Sequence, residues 1–260
     1  MPYQTILSTA QDGILTITLN RPEVYNAFNE QMKKELNEAL KDAEKDATVR
    51  CVVLRGVGDK AFCSGQDLKE HVGQKRSLRE SLEKSYNPMV RRIRSMEKPV
   101  VAMINGVAAG AGLSLALACD MRIASENARL IEVFIRIGLV PDSGSHWFLT
   151  RLVGVGKAFE LASLGDEVSA SDALRLGLVY KVVPAPQLEE ETARIASRLA
   201  QSPTKAIGLI KRAINKAAYS DLDTILDYEA CLQEIASRTE DHREGVHAFL
   251  EKRAAKFQGR

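Results

Sequence analysis

Asn105-Gly106-Val107-Ala108-Ala109-Gly110-Ala111-Gly112-Leu113-Ser114-Leu115-Ala116-Leu117-Ala118-Cys119-Asp120 is the stretch whose reading decides the fold. It follows Pro99-Val100-Val101-Ala102-Met103-Ile104, which reads as a short, fully buried strand. Glycines and alanines then make a turn, and the apolar run after it reads as a buried helix. Small side chains let another molecule come close to the main chain. A helix start also offers unpaired N–H groups and the positive end of the helix dipole. Two readings stand side by side: a tight strand-to-helix turn packed on a core, or a cradle for a developing negative charge.

Upstream, Ile6 to Arg21 reads as a hairpin turning at Asp12-Gly13, with β-branched alternation in Ile14-Leu15-Thr16-Ile17-Thr18-Leu19. Asn29 is placed to cap a helix from Glu30 to Asp46, with Met32, Leu36, Ala39, Leu40 and Ala43 on one face. Val49 to Gly56 is a buried strand, Ala61 to Glu70 a loop, His71 to Ser77 a polar, mobile stretch, and Leu78 to Met96 a helix. Downstream come a short strand at Met121–Ala124, a loop and helix around Pro141 to Leu152, and a last strand near Val179–Val183. After Pro184 and Pro186 the pattern is helical only: Gln187–Gln201, a helix opened by Ser202-Pro203 and running through Lys216, one capped by Asp221 and running to Arg238, and a last one entered through Asp241-His242-Arg243-Glu244, which has capping-box spacing. The expected organisation is an α/β core over 1–186 and a helical region over 187–260.

Composition sets the outer bounds. The chain has 260 residues, 45% hydrophobic and 27% charged, which is ordinary for a globular protein with a large core. With 36 basic and 34 acidic residues the net charge is +2, so no strong field for nucleic acid or membrane is implied. Cys51, Cys63, Cys119 and Cys231 lack metal spacing and read as free thiols, three of them in apolar runs. No metal-ligand cluster or membrane-length apolar run stands in the sequence, the opening Met1–Thr5 lacks a basic-then-apolar signal pattern, and a cytoplasmic location is expected. Gly110-Ala111-Gly112 is not a dinucleotide fingerprint, since Leu115 stands where the third glycine belongs.

Two further stretches carry possible chemistry. Phe62-Cys63-Ser64-Gly65-Gln66-Asp67-Leu68 also follows a buried strand, and Gly65 permits an unusual backbone angle. It is either a surface turn with Asp67 as a helix cap, or the second half of a two-donor oxyanion hole. Asp142, in Gly138-Leu139-Val140-Pro141-Asp142-Ser143-Gly144, is either a helix cap or a carboxylate whose apolar setting raises its pKa for general acid/base work. His146 and Trp147 read as packing and helix-start residues. Arg91, Arg92 and Arg94 form a short basic patch, either a solvated helix face or a footing for coenzyme A phosphates or RNA.

Phe62 to Leu68, Asn105-Gly106 through Gly112, and Gly138-Leu139-Val140-Pro141, in this order and with the ending Glu244 to Arg253, resemble the enoyl-CoA hydratase/isomerase (crotonase) superfamily over nearly the whole chain. The resemblance implies a crotonase-like spiral of ββα units, a C-terminal helical trimerisation region, and a coenzyme A thioester substrate. It implies oxyanion donors at the backbone N–H groups of Gln66 and Ala111. It places the adenosine end near Ser64, and Phe249 and Lys252 where residues close over the nucleotide. Hydratases of the family carry glutamates at the positions of Ser114 and Phe134, where this chain has no carboxylate. The carboxylate stands instead at Asp142, as in the ring-epoxide phenylacetyl-CoA isomerases. Dienoyl-CoA isomerases add an acidic residue at the position of Ser114, and the dehalogenases add a histidine base upstream of the second turn; here Ser114 is not acidic, and of His71, His146, His242 and His247 none lies in the helix expected over Leu78–Met96. The expectation is an acyl-CoA isomerase with Asp142 moving the proton, no metal or redox cofactor, no nucleic-acid or membrane partner, and assembly as a homotrimer or dimer of trimers. The alternatives are an enoyl-CoA hydratase and a non-enzymatic RNA-binding member.

Overall fold

The computed structural model describes residues 3–72 and 77–260. Strand β1 (Ile6–Gln11) turns at Asp12 and Gly13, both at positive φ (51° and 77°), the left-handed pair that a two-residue hairpin loop requires. It pairs antiparallel with β2 (Ile14–Leu19), whose Leu15, Ile17 and Leu19 face inward. β3 (Cys51–Gly56), β4 (Ala61–Cys63), β5 (Val100–Ile104), β6 (Val107–Ala109), β7 (Met121–Ser125), β8 (Arg129–Ile131), β9 (Glu167–Ser169) and β10 (Lys181–Val183) complete two sheets. The six-stranded sheet has the order β1-β2-β3-β5-β7-β10, parallel from β2 onward. The four-stranded sheet has the order β4-β6-β8-β9, with β9 antiparallel.

The helices are α1 (Glu30–Lys45), α2 (Leu68–Val72), α3 (Leu78–Ser81), α4 (Asn87–Ser95), α5 (Ala111–Ala118), α6 (Ser145–Leu164, broken at Gly154), α7 (Ala170–Arg175), α8 (Leu188–Ala200), α9 (Thr204–Ala217), α10 (Leu222–Ser237) and α11 (Glu240–Leu250). The chain repeats one sequence of moves: a strand in the first sheet, a strand in the second, then a helix. β5-β6-α5 and β7-β8-α6 are two such units. β3 and β5 are apolar on both faces because both faces are covered. Val52, Leu54, Val100 and Ala102 share a core with Met32, Leu36 and Leu40 of α1. Cys51, Val53, Val101 and Met103 share another with Leu188, Ile195 and Ala196 of α8. The expected division at residue 186 thus falls just before a helix that packs on the main sheet. After β10 the described chain is helical.

Several expectations change. The stretch expected as a loop from Ala61 begins as β4, and the glycine–alanine turn contains β6. The helix expected over Leu78–Met96 passes through one π-turn segment, Leu82–Tyr86, between α3 and α4. Ser202 does not cap α9; its hydroxyl donates back to the Arg198 carbonyl, and Pro203 is the capping position. Thr239, not Asp241, caps α11. Asp241 is buried within the first turn, where its carboxylate accepts from the N–H groups of Gln258 and Gly259 and ties down the C-terminal tail. The polar stretch at His71–Ser77 lies, apart from its ends, outside the described residues.

Candidate active site

The two small-residue turns meet. Gly112, in the first turn of α5, lies so close to the end of β4 that a Cβ there would stand 2.2 Å from the Cys63 carbonyl oxygen. Only glycine fits. Gly65 has φ +99°, and a Cβ on it would stand 3.0 Å from the Ala109 carbonyl oxygen and 3.4 Å from the Ala111 nitrogen. The sequence therefore needs its small residues to bring one backbone turn against the other, as well as to bend the chain.

The hydrogen bonds around these turns leave two donors over. Phe28 and Gln66 form a parallel bridge, in which the Phe28 N–H donates to the Gly65 carbonyl and the Asp67 N–H donates to the Phe28 carbonyl. That pattern turns the N–H of Gln66 away from Phe28. Ala111 is the first residue of α5, so its N–H has no carbonyl one turn back. Among the described residues no backbone carbonyl accepts from either group. Both residues line one cavity, together with Ser64, Leu78, Leu82, Tyr86, Phe134, Ile137, Leu139 and Asp142.

Asp142 is the one carboxylate among the described residues lining that cavity. It is not the cap of α6: Gly144 holds that position without a side-chain bond. The Asp142 carbonyl accepts from the Ser145 N–H, and its carboxylate accepts from the Ser143 hydroxyl at 2.8 Å. Burial raises its pKa above the ordinary carboxylate value, opposed by the Ser143 bond and the nearby His146. A half-buried carboxylate beside two free backbone donors can take a proton from a carbon while the donors hold the resulting oxyanion.

Comparison with known proteins gives the family. Residues 9–260 match the family model described as enoyl-CoA hydratase/isomerase. The chain belongs to that family. It is 45% identical to the 1,2-epoxyphenylacetyl-CoA isomerase of Escherichia coli (strain K12), over 98% of both chains. It is 42% identical to a probable enoyl-CoA hydratase of Rhodobacter capsulatus, over 100% of both. The crystal structure of an enoyl-CoA hydratase from Bacillus anthracis superposes with a TM-score of 0.94 at 37% identity, covering 99% of this chain and 100% of that one. The protein is thus a crotonase-superfamily enzyme of coenzyme A thioesters, with the mixed α/β crotonase fold.

In this crotonase the two positions that lack carboxylates behave differently. Ser114 is fully buried in α5, and its hydroxyl donates to the Gly110 carbonyl. Phe134 lines the cavity. Ser64 lies at the cavity, but Phe249 and Lys252 do not line it: Phe249 is 82% exposed on α11, and Lys252 follows that helix. Arg92 pairs with Glu44, and Arg94 pairs with Asp120 at 3.1 Å, so two cations of the basic patch are engaged inside the fold. Cys51, Cys63 and Cys119 are buried, and burial pushes each thiol up to about 12; Cys231 is exposed. No cluster of potential metal ligands occurs among the described residues, and no helix is long and apolar enough to cross a membrane.

Three side chains beside the cavity were not singled out from the sequence. The Tyr86 hydroxyl donates to the Gln66 side-chain oxygen at 2.6 Å. Lys33, 1% exposed, reaches the same oxygen at 3.4 Å, donates to Ser81 and pairs with Glu30. Glu132 is buried next to the Asp142 loop. The lone acidic residue in Arg129-Leu130-Ile131-Glu132-Val133-Phe134 was the available signal for the last of these.

Proposed function

We propose that the protein is an acyl-CoA isomerase that moves a proton, and with it a double bond, or opens a ring epoxide, on a coenzyme A thioester. The thioester oxygen sits between the N–H groups of Gln66 and Ala111. Asp142 removes a proton from carbon, negative charge grows on the oxygen as an enolate, and the same carboxyl group returns the proton at another atom. Each backbone donor contributes roughly 10²–10³ in rate, by comparison with other oxyanion holes. Coenzyme A arrives as part of the substrate, and the step needs no resident cofactor.

The observation that carries this reading is that Asp142 is the one carboxylate among the described residues of a cavity whose remaining described wall is largely aliphatic and aromatic. Adding water across a double bond with two carboxylates has no counterpart in that lining. The apolar wall of Leu78, Leu82, Phe134 and Ile137 suits a hydrocarbon or aromatic acyl group. Hydration by a single carboxylate is the second reading, favoured by the relatives named as hydratases. Incubation with enoyl-CoA and epoxyphenylacetyl-CoA thioesters, read by mass and NMR, separates the two. An isomerised product keeps the substrate's mass, and a hydrated one gains water. Efficient hydration of crotonyl-CoA with no isomerisation overturns the proposal.

Assembly as a trimer or a dimer of trimers belongs to the same reading. Ile210 and Ile214 of α9 and Leu222 and Leu226 of α10 are each more than half exposed, an apolar surface that association would cover. A stable monomer at micromolar concentration in light scattering overturns it.

A further inference from the structure

Glu132 follows the last residue of β8 and is 2% exposed. Its Oε1 accepts the hydroxyl proton of Ser145, the first residue of α6, whose N–H donates to the Asp142 carbonyl. Its Oε2 is buried with no partner among the described residues. The residue before it, Ile131, accepts from the N–H of Gly110, which precedes the donor Ala111. Glu132 thus stands where the Ala111 turn, the Asp142 loop and the start of α6 are tied together. A structural staple alone could be made by a neutral side chain at lower desolvation cost.

We propose that Glu132, reaching the Asp142 loop through Ser145, is a positioning residue that fixes the Asp142 carboxylate and sets the pH range in which it works. The inference rests on the isomerase reading, in which Asp142 carries the proton. Burial first, and then the negative charge of Asp142, push the Glu132 carboxyl up to about 7, against the lowering effect of the Ser145 bond. The unpartnered Oε2 is consistent with a carboxyl group that keeps its proton while Asp142 is ionised. As pH rises through 7, Glu132 ionises beside Asp142, and the second charge makes Asp142 hold its proton more tightly. The Asp142 charge also faces Tyr86, whose hydroxyl is engaged with Gln66. His146 lies by Asp142, Arg136 donates to the Gly165 carbonyl, and Arg129 pairs with Glu167 at the other end of β8.

The test is an infrared titration of the ligand-free enzyme from about pH 5 to 9, following the neutral carboxylic-acid band. A band that bleaches near pH 7, vanishes in Glu132→Gln and bleaches at lower pH in Asp142→Asn is the expected result. A midpoint that does not move in Asp142→Asn, or no such band in the wild type, overturns the proposal. Turnover gives the second readout. The wild type shows a step in kcat near pH 7 that Glu132→Gln removes, and Ser145→Ala lowers kcat roughly tenfold with KM little changed, on the scale of a lost positioning contact. An unchanged step in Glu132→Gln overturns the proposal by itself. Full turnover in Asp142→Asn instead defeats the isomerase reading, and the infrared coupling is measured independently of it.

Discussion

The proposed site has two halves built on different principles. One half is backbone: the N–H groups of Gln66 and Ala111, left without a backbone acceptor among the described residues, on two turns that Gly65 and Gly112 let come within contact distance. The other half is side chain: Asp142 in the loop before α6, with Glu132 and Ser145 behind it. In the backbone half the chemistry follows from shape, so any side chain of the wrong size destroys it. In the side-chain half the shape tolerates change, and it is charge that must be right. Substitutions in the two halves therefore fail differently.

The largest effect is expected in the backbone half. In Gly112→Ala the added methyl collides with the Cys63 carbonyl, a backbone atom that cannot swing aside. Either α5 or β4 must shift, so the Ala111 donor leaves its place. Turnover should fall by about 10²–10³-fold or more, and stability by about 1–3 kcal/mol, as for other overpacked cores. Turnover and urea unfolding of the same preparation check it. A folded and fully active Gly112→Ala enzyme would remove the case for a shape-determined half.

Asp142→Asn comes next and probes charge at constant size. Turnover should drop about 10²-fold, the scale of a lost general base. Melting temperature and coenzyme A binding should stay close to wild type. In the wild type, kcat should decline as pH falls through the Asp142 pKa, which burial holds above the ordinary aspartate value. A matching fall in melting temperature would show that Asp142 also holds the loop together, and the contrast between the halves would weaken.

The same contrast separates what was legible in the sequence from what was not. The buried strands β3 and β5 and the helix α5 are long apolar runs, and the small residues at 65 and 110–112 announce close approach. The α/β class and the close approach of the two turns were therefore legible in the residues themselves, whereas the spiral arrangement and the donor roles of Gln66 and Ala111 came only with the family resemblance. The second sheet was not legible: β4, β6, β8 and β9 have three residues each, too few to express an alternation. They are strands because the folded chain pairs them. Asp142 was legible as a candidate but not in its role, since a cap and a base have the same local spacing. Glu132 and its partner Ser145 are 13 residues apart, and only burial brings them together. Lys33 and Tyr86 meet at Gln66 for the same reason.

Glu132→Gln sharpens the comparison through stability. The Glu132 carboxyl sits at about 7 in the folded protein against an ordinary 4.5. The folded state therefore binds this proton more tightly than the unfolded chain, and the carboxyl costs stability as pH rises from about 4.5 to 7. The cost is absent below that window and fully present above it, on the order of 3 kcal/mol. Glu132→Gln keeps an acceptor for Ser145 and cannot ionise, so it should be the more stable protein at about pH 8, with the advantage fading toward pH 5. Urea unfolding of both proteins at the two pH values measures it. A pH-independent difference would mean that Glu132 does not titrate in that window.

The smallest expected effect lies outside both halves. Lys252 follows α11 at φ +53° and does not line the cavity, and Phe249 beside it is almost fully exposed. If Lys252 meets a phosphate of coenzyme A, it does so as an exposed charge in water, where a pair contributes at most about 1 kcal/mol. Lys252→Ala should therefore raise KM for acyl-CoA by at most about fivefold, leave kcat unchanged, and lose that difference as salt screens the contact. An N-acetylcysteamine thioester, which lacks the nucleotide, should not distinguish the variant from wild type. A loss in kcat, or an equal loss with the short thioester, would place Lys252 in the chemistry, and the site would then have a third part that one chain alone does not display.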